Sequence, residues 1–258
     1  MSGSSQLRRL LRNGGSAVGC FVKLGVREAI DAVKGSGFDF ALIDFEHSQL
    51  GEETARGLAA HAHALGLPTV VRMPALDPPV INRFLEAGVS GIQLSMLRSN
   101  AQRDGLKAAT RYSPHGTRSL STAHPMAGYG SVPVREYLDD QASDPPLLVG
   151  QIETAATVDP LTEIVAGLDV VFAGTADLSA DMGHPGDPAH SDVQARLSDM
   201  AAAASAADAA FGGWIGTAPA LPVLTAGGAT YIVVGSDLQI LRGGLESLAT
   251  EVRAMLGA

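Results

Sequence analysis

Two acidic residues, Glu153 and Asp177, each follow closely on an apolar run: Leu147-Leu148-Val149-Gly150-Gln151-Ile152 before the first, Val170-Val171-Phe172-Ala173 before the second. If adjacent parallel strands carry them, both carboxylates project toward the same end of the sheet and can share one hard divalent cation. Such a cation prefers oxygen ligands and keeps positions open for water or for a chelating ligand such as a 2-keto acid. Either carboxylate alone has a plainer explanation as a helix N-cap, because both precede helical sequence and anions are favoured there. It is the pair that points to metal.

Three further places carry reactive types after an apolar run. His47 closes Asp44-Phe45-Glu46-His47, where a carboxylate beside an imidazole can fix its tautomer and steady it as a proton carrier. Arg72 ends Thr69-Val70-Val71-Arg72, and its planar guanidinium can hold a carboxylate through two parallel hydrogen bonds; in isolation it reads equally well as half of a surface ion pair. Gly235-Ser236-Asp237 is the last of these places. Lysine occurs only as Lys23, Lys34 and Lys107, so covalent catalysis through an imine would need Lys23, just past the first apolar run. The glycines of Ala226-Gly227-Gly228-Ala229 lack the spacing of a phosphate or dinucleotide loop.

Positioning these groups requires a scaffold that brings strand ends together. Short β-rich runs at Ser16–Val22, Phe40–Asp44, Thr69–Arg72, Gly91–Leu94, Leu147–Ile152, Val170–Ala173, Gly213–Gly216 and Tyr231–Val234 alternate with helical stretches. The helices are expected over Val26–Ser36, Glu52–Leu65, Pro79–Ala87, Ala101–Thr110, Thr154–Ala166, Asp192–Ala209, Ala218–Ala226 and Leu238–Leu256. Nearly continuous apolar strands belong to a parallel sheet covered on both faces. Eight strand-helix units with no shift of composition predict one α/β domain over residues 1–258, a (β/α)8 TIM barrel with reactive groups at the C-terminal ends of its strands. The insert from Tyr112 to Pro146 is expected to cap one end.

Composition bounds the partners. The chain has 258 residues, 46% of them hydrophobic and 17% charged, a balance that suits a large core and opposes disorder. A net charge of −9 opposes nucleic-acid binding, which needs a positive patch. No apolar stretch follows the N-terminal arginines at signal-peptide length, and Ala-rich Met200–Phe211 is too short and polar to span a bilayer. With Cys20 as the one cysteine no intrachain disulfide forms; a cytoplasmic protein is expected.

Leu42-Ile43-Asp44-Phe45-Glu46-His47, Val71-Arg72, Thr110-Arg111-Tyr112, Gln151-Ile152-Glu153-Thr154 and Ala176-Asp177-Leu178-Ser179-Ala180-Asp181-Met182-Gly183 together resemble the HpcH/HpaI family of class II pyruvate aldolases. The likeness runs in order over essentially the whole chain, and the last string is its most specific part. The resemblance implies Glu153 and Asp177 as ligands of Mg2+, Mn2+ or Co2+, His47 as a base paired with Asp44, and Arg72 facing the keto oxygen. It places Gln151 and Ala176 in the substrate pocket and Glu86 as an acidic group reaching a neighbouring subunit's site. It also implies a hexamer, a trimer of dimers, in which the last helix is exchanged across a dimer.

The chain departs from the family pattern at Thr175 and Ser95, where relatives commonly carry proline, and at Ser119, where glycine is usual. These changes are expected to alter the mouth and the substrate. The activity implied is cleavage or formation of a carbon–carbon bond in 4-hydroxy-2-keto acids, with a 2-keto acid and an aldehyde as small-molecule partners. Oxaloacetate decarboxylation or a citrate-forming condensation at the same site stays open, as does a barrel that binds a dicarboxylate without turning it over.

Overall fold

Eight parallel strands close on themselves in chain order: β1 (Ala17–Val22), β2 (Phe40–Asp44), β3 (Thr69–Met73), β4 (Gly91–Leu94), β5 (Leu147–Ile152), β6 (Val170–Ala173), β7 (Ala210–Ile215) and β8 (Tyr231–Ser236). The register runs from Gly19↔Phe40 between β1 and β2 round to Ala17↔Tyr231 between β1 and β8. The computed structural model describes residues 2–257. Its α-helices are α1 (Gly3–Arg12), α2 (Arg27–Gly35), α3 (Glu52–Ala64), α4 (Pro78–Glu86), α5 (Asn100–Thr110), α6 (Val134–Ser143), α7 (Leu161–Ile164), α8 (Thr175–Asp181), α9 (Ser191–Ala206), α10 (Pro222–Thr225) and α11 (Asp237–Leu256).

Side chains alternate along a strand, so the core divides in two. Phe40 and Leu42 of β2, Val70 of β3, Leu147 and Val149 of β5 and Phe172 of β6 fill the barrel interior. Ala41, Ile43, Val71, Ile92 and Leu148 face outward onto the helices. Continuing the inward parity one step toward the strand ends places Asp44, Arg72, Gln93 and Gln151 in one layer above this apolar filling, and all four are buried. The barrel thus changes from apolar to polar along its axis at the C-terminal end.

The other end is closed by α1, a helix the sequence reading did not anticipate because Arg8, Arg9 and Arg12 mask its Leu7, Leu10 and Leu11 face. Leu7 is fully buried against the interior strands. Arg8 fastens the plug: Nε and Nη2 donate to Asp169 at 2.7 and 3.1 Å, and Nη1 to the Pro145 carbonyl at 2.6 Å. The Tyr112 to Pro146 insert follows α5 and precedes β5, so it lies at this same end, remote from the strand C-termini.

Two expected helices shrink. Over Thr154–Ala166 only α7 forms, because the Thr154 and Thr157 hydroxyls bond to nearby carbonyls and Pro160 sets the helix start. Over Ala218–Ala226 two prolines divide a 3₁₀ turn from α10. β7 begins at Ala210 rather than Gly213; Gly212 lies so close to the Tyr231 backbone that any Cβ would collide.

α11 is a helix of 20 residues that buries none of them. Leu241, Leu245, Leu248, Val252 and Met255 are exposed along it. Where a barrel helix would pack, an apolar groove of about 370 Å³ lies open, lined by Ala29, Val33, Phe38, Ile240 and Leu241 among others.

Candidate active site

A cavity of about 460 Å³ opens at the C-terminal end of the strands, within the size range of small-molecule sites. His47, Arg72, Gln151, Ala176 and Asp177 line it together, with Lys23, Phe21, Phe172 and Trp214. Five positions singled out from sequence therefore meet at one mouth.

On one side the polar layer is built around Asp44, whose side chain is fully buried. Arg72 forks onto it, Nε to Oδ1 at 3.0 Å and Nη2 to Oδ2 at 2.6 Å. Lys23 Nζ stands 2.7 Å from Oδ2, and the His47 backbone N–H donates to Oδ1 at 3.0 Å. Burial opposes ionisation of this carboxyl, but the Arg72 and Lys23 partners outweigh it and hold it at about 2. The Arg72 guanidinium rests 4.5 Å above the Phe21 ring, leaving Nη1 without a partner among the described residues.

The expected pairing of Asp44 with the His47 ring is corrected by this geometry. Asp44 is saturated by two cations and touches His47 only through its main chain. The imidazole, 60% exposed in the cavity mouth, has Glu46 nearest, Nε2 lying 3.9 Å from Oε2. Asp44 therefore shapes the loop that carries His47 and fixes Arg72, while Glu46 faces the ring.

On the other side Glu153 is buried at the end of β5. It accepts from Met96 N–H at 2.8 Å and from Gln151 Nε2 at 2.5 Å. Gln151 in turn accepts from Gln93 Nε2 at 2.5 Å, so a chain of amides orients the carboxylate. Because no helix starts at Glu153, the N-cap explanation does not apply to it; Asp177 does sit in the first turn of α8. Asp181 ties the two segments, accepting from Ala155 N–H at 2.7 Å. Gly174 leaves the space that Glu153 fills, since a Cβ there would meet Oε2 at 2.5 Å.

Burial pushes Glu153 up from the ordinary carboxyl range, and the nearby charges of Asp177 and Glu46 push the same way, against the two hydrogen bonds. Like charges gathered in a low-dielectric site favour either a retained proton or a bound cation. Glu153 and Asp177 offer the oxygen donors that a hard divalent cation prefers. Elsewhere, His184, His190 and Asp192 bring ligand atoms within 4.8 Å of one another. The two imidazoles stack 3.4 Å apart at 14°, so their in-plane lone pairs run side by side instead of converging on one ion.

Gln93 escaped the sequence analysis altogether, while Glu46 entered it only as an acidic neighbour of His47 and Ser95 only as a departure expected to alter the mouth. Ser95, at a position where proline was expected, donates to Glu46 Oε2 at 2.6 Å and so holds the carboxylate that faces His47. Thr175, the other such position, bonds the Trp214 carbonyl at 3.2 Å. The expectation that Ser119 alters the mouth is not met. It follows buried Arg118, which bonds Asn82 of α4 and Gln141 of the insert, and neither Arg118 nor Ser119 lines the cavity. Glu86, the last residue of α4, likewise stands outside this cavity and accepts from Asn82 at 3.2 Å.

The family model for HpcH/HpaI aldolase/citrate lyase matches residues 17–243. The chain belongs to this family. Over 243 residues it is 35% identical to the 4-hydroxy-2-oxo-heptane-1,7-dioate aldolase of Salmonella paratyphi C, covering 93% of this chain and 91% of that protein. It is 32% identical to the pyruvate aldolase of Rhizobium etli, with 95% and 96% covered. The crystal structure of an HpcH/HpaI family protein from Burkholderia cenocepacia superposes with a TM-score of 0.87 at 29% identity, covering 96% and 98% of the two chains. Within this family member the acidic pocket, the arginine and the imidazole thus share one barrel mouth.

Asp44 yields a prediction about acid stability. Its folded ionisation lies below the ordinary 3.8, at about 2, so the contribution is complete above the unfolded value and is lost as pH falls through the folded one. Native stability should drop by about 2 kcal/mol between pH 5 and pH 1 from this group alone. Urea unfolding of Asp44→Asn should show a correspondingly shallower pH slope; an unchanged slope would remove Asp44 as the cause.

Proposed function

We propose that the chain is a divalent-cation-dependent aldolase, a carbon–carbon lyase acting on 4-hydroxy-2-keto acids by way of the pyruvate enolate. The observation that carries this reading is the buried Glu153 carboxyl pressed by Asp177 and Glu46, packed behind Gly174 and Gln151 at the edge of the cavity that Asp177 lines with Arg72 and His47. Aldolase relatives that match over nine-tenths of their own length support it. Glu153 and Asp177 would hold Mg2+, Mn2+ or Co2+, which supplies Lewis acidity toward a chelated keto group.

The protein's own groups do the rest. Arg72, fixed by Asp44, turns its free Nη1 to the keto oxygen and steadies the negative charge that gathers there. Gln151 and Ala176 border the keto acid. In cleavage His47 takes the proton of the C4 hydroxyl, the C3–C4 bond breaks, and its electrons pass into the enolate while an aldehyde leaves. Protonation at C3 then yields pyruvate. Glu46, held by Ser95, favours the imidazolium during the transfer. Synthesis is the reverse, with enolate attack on the aldehyde.

The chain is read as one barrel domain that works as an oligomer. The exposed apolar face of α11 and the open groove beside α2 support exchange of this helix between subunits, and Glu86, outside its own cavity, is free to serve a neighbour. No helix among the described residues is long and apolar enough to cross a membrane, and a cytoplasmic hexamer is the setting proposed.

Two outcomes test this. Pyruvate release from 4-hydroxy-2-keto acids should vanish with EDTA and return with Mn2+ or Mg2+, and Glu153→Gln should lower divalent affinity and turnover together. Release only from oxaloacetate, or full activity in Glu153→Gln, would contradict the proposal. Changing Leu245 and Leu248 to Glu should shift the mass in multi-angle light scattering to a smaller species; an unchanged mass would show that α11 does not join subunits.

A further inference from the structure

The turn that follows β4 aims a backbone donor at Glu153 from a conformation that side chains disfavour. Met96 N–H donates to Oε1 at 2.8 Å, and Met96 itself stands at φ +52°, in the left-handed region that residues other than glycine seldom adopt. Something must hold it there. The peptide unit after Met96 is gripped at both ends. Its N–H, on Leu97, donates to the Gln151 carbonyl at 2.8 Å, and its C=O accepts from Gln102 Nε2 at 3.1 Å. Leu97 is fully buried, so packing anchors that end as well.

Gln102 lies outside the cavity, in the first turn of α5, and no step above uses it. Its N–H donates to Oγ of the N-cap Ser99 at 3.3 Å, and its Oε1 accepts from Arg98 N–H at 2.8 Å. That half resembles a capping box, which a glutamate would serve as well as a glutamine. The Nε2 bond to Met96 is different, because only an amide can accept from Arg98 and donate to Met96 at once. The helix end does not hang on Gln102 alone, since Asn100 N–H donates to Asp159 Oδ2 at 2.7 Å. What Gln102 adds beyond a cap is its hold on the turn that carries Met96.

Resting on the reading of Glu153 as a cation ligand, we propose that Gln102 is a positioning residue for Glu153 and acts through the backbone of Met96. Its amide fixes the peptide unit after Met96, which keeps residue 96 left-handed and the N–H of the preceding unit on Oε1. With Met96 on Oε1 and Gln151 on Oε2, both carboxylate oxygens are oriented and a lone pair on each stays available. Groups that orient a ligand from behind change metal affinity by about ten- to a hundredfold.

The readout is the Mn2+ dissociation constant of the full chain, measured by calorimetry at one pH without substrate. Gln102→Met, which keeps the length of the side chain and neither of its bonds, should weaken Mn2+ binding roughly tenfold. Adding Met96→Gly to that variant should recover most of the loss, because glycine takes a positive φ with no side chain to oppose it. A residue that only capped α5 would not be rescued by a change at position 96. Gln102→Asn, whose amide falls one methylene short of Met96, serves the same comparison if the methionine variant does not fold. An unchanged constant, or a loss that Met96→Gly leaves in place, overturns the proposal. Glu153→Gln separates this failure from that of the site itself. If it weakens Mn2+ binding while Gln102→Met does not, only the role of Gln102 falls. If the native chain and Glu153→Gln bind Mn2+ alike, or neither binds it, the reading of Glu153 as a ligand falls and this inference with it.

Discussion

Glu153 is a carboxyl taken out of water, with Asp177 and Glu46 adding negative charge around it. An unanswered charge in such a place costs several kcal/mol, and no cationic side chain bonds this one among the described residues. The surrounding structure nevertheless commits to it. Gln93 and Gln151 aim amide donors along a chain that ends on it, Met96 N–H closes the other oxygen, and Gly174 gives up its Cβ for the space. Donors that favour the ionised form, placed where burial disfavours it, make sense if a positive ion completes the set.

Across the cavity the arrangement is inverted. Asp44 is as deeply buried but meets two cations, Arg72 and Lys23, and its carboxyl is held near 2 where Glu153 is pushed upward. One wall thus sets two cations against Asp44, while the other gathers carboxylates without a cationic partner for Glu153, which gives the cavity a direction. On the proposed reading a chelated keto acid would sit on the acidic wall with its cation, and proton transfer would take place on the other. The loop between Asp44 and His47 joins the two functions, because the same carboxylate that fixes Arg72 also receives the His47 main chain.

Much of this was legible in the sequence for a physical reason. Strands covered on both faces read as short apolar runs, so β2, β4, β5 and β6 appear with their observed limits, and strand-end position alone singles out His47, Arg72, Glu153 and Asp177. What the sequence hides depends on register and on packing between distant segments. Glu46 and Ser95 meet across β2 and β4, and Gln93 lies mid-strand, where only inward parity reveals it. Asp44 beside His47 in sequence suggested a pair, but the turn puts the carboxylate under the backbone and leaves the ring to Glu46. Local order misled again at Ser119, because the insert folds to the far end, and α1 was concealed by its arginines.

Catalysis as proposed requires Glu153 and Asp177 to meet at one divalent ion, and anomalous diffraction from crystals grown with Mn2+ and pyruvate would locate that ion. A single strong peak within about 2.2 Å of an oxygen from each carboxylate, with pyruvate completing the shell beside Arg72, is the predicted result. A peak only at His184, His190 and Asp192, or none between Glu153 and Asp177, would contradict it.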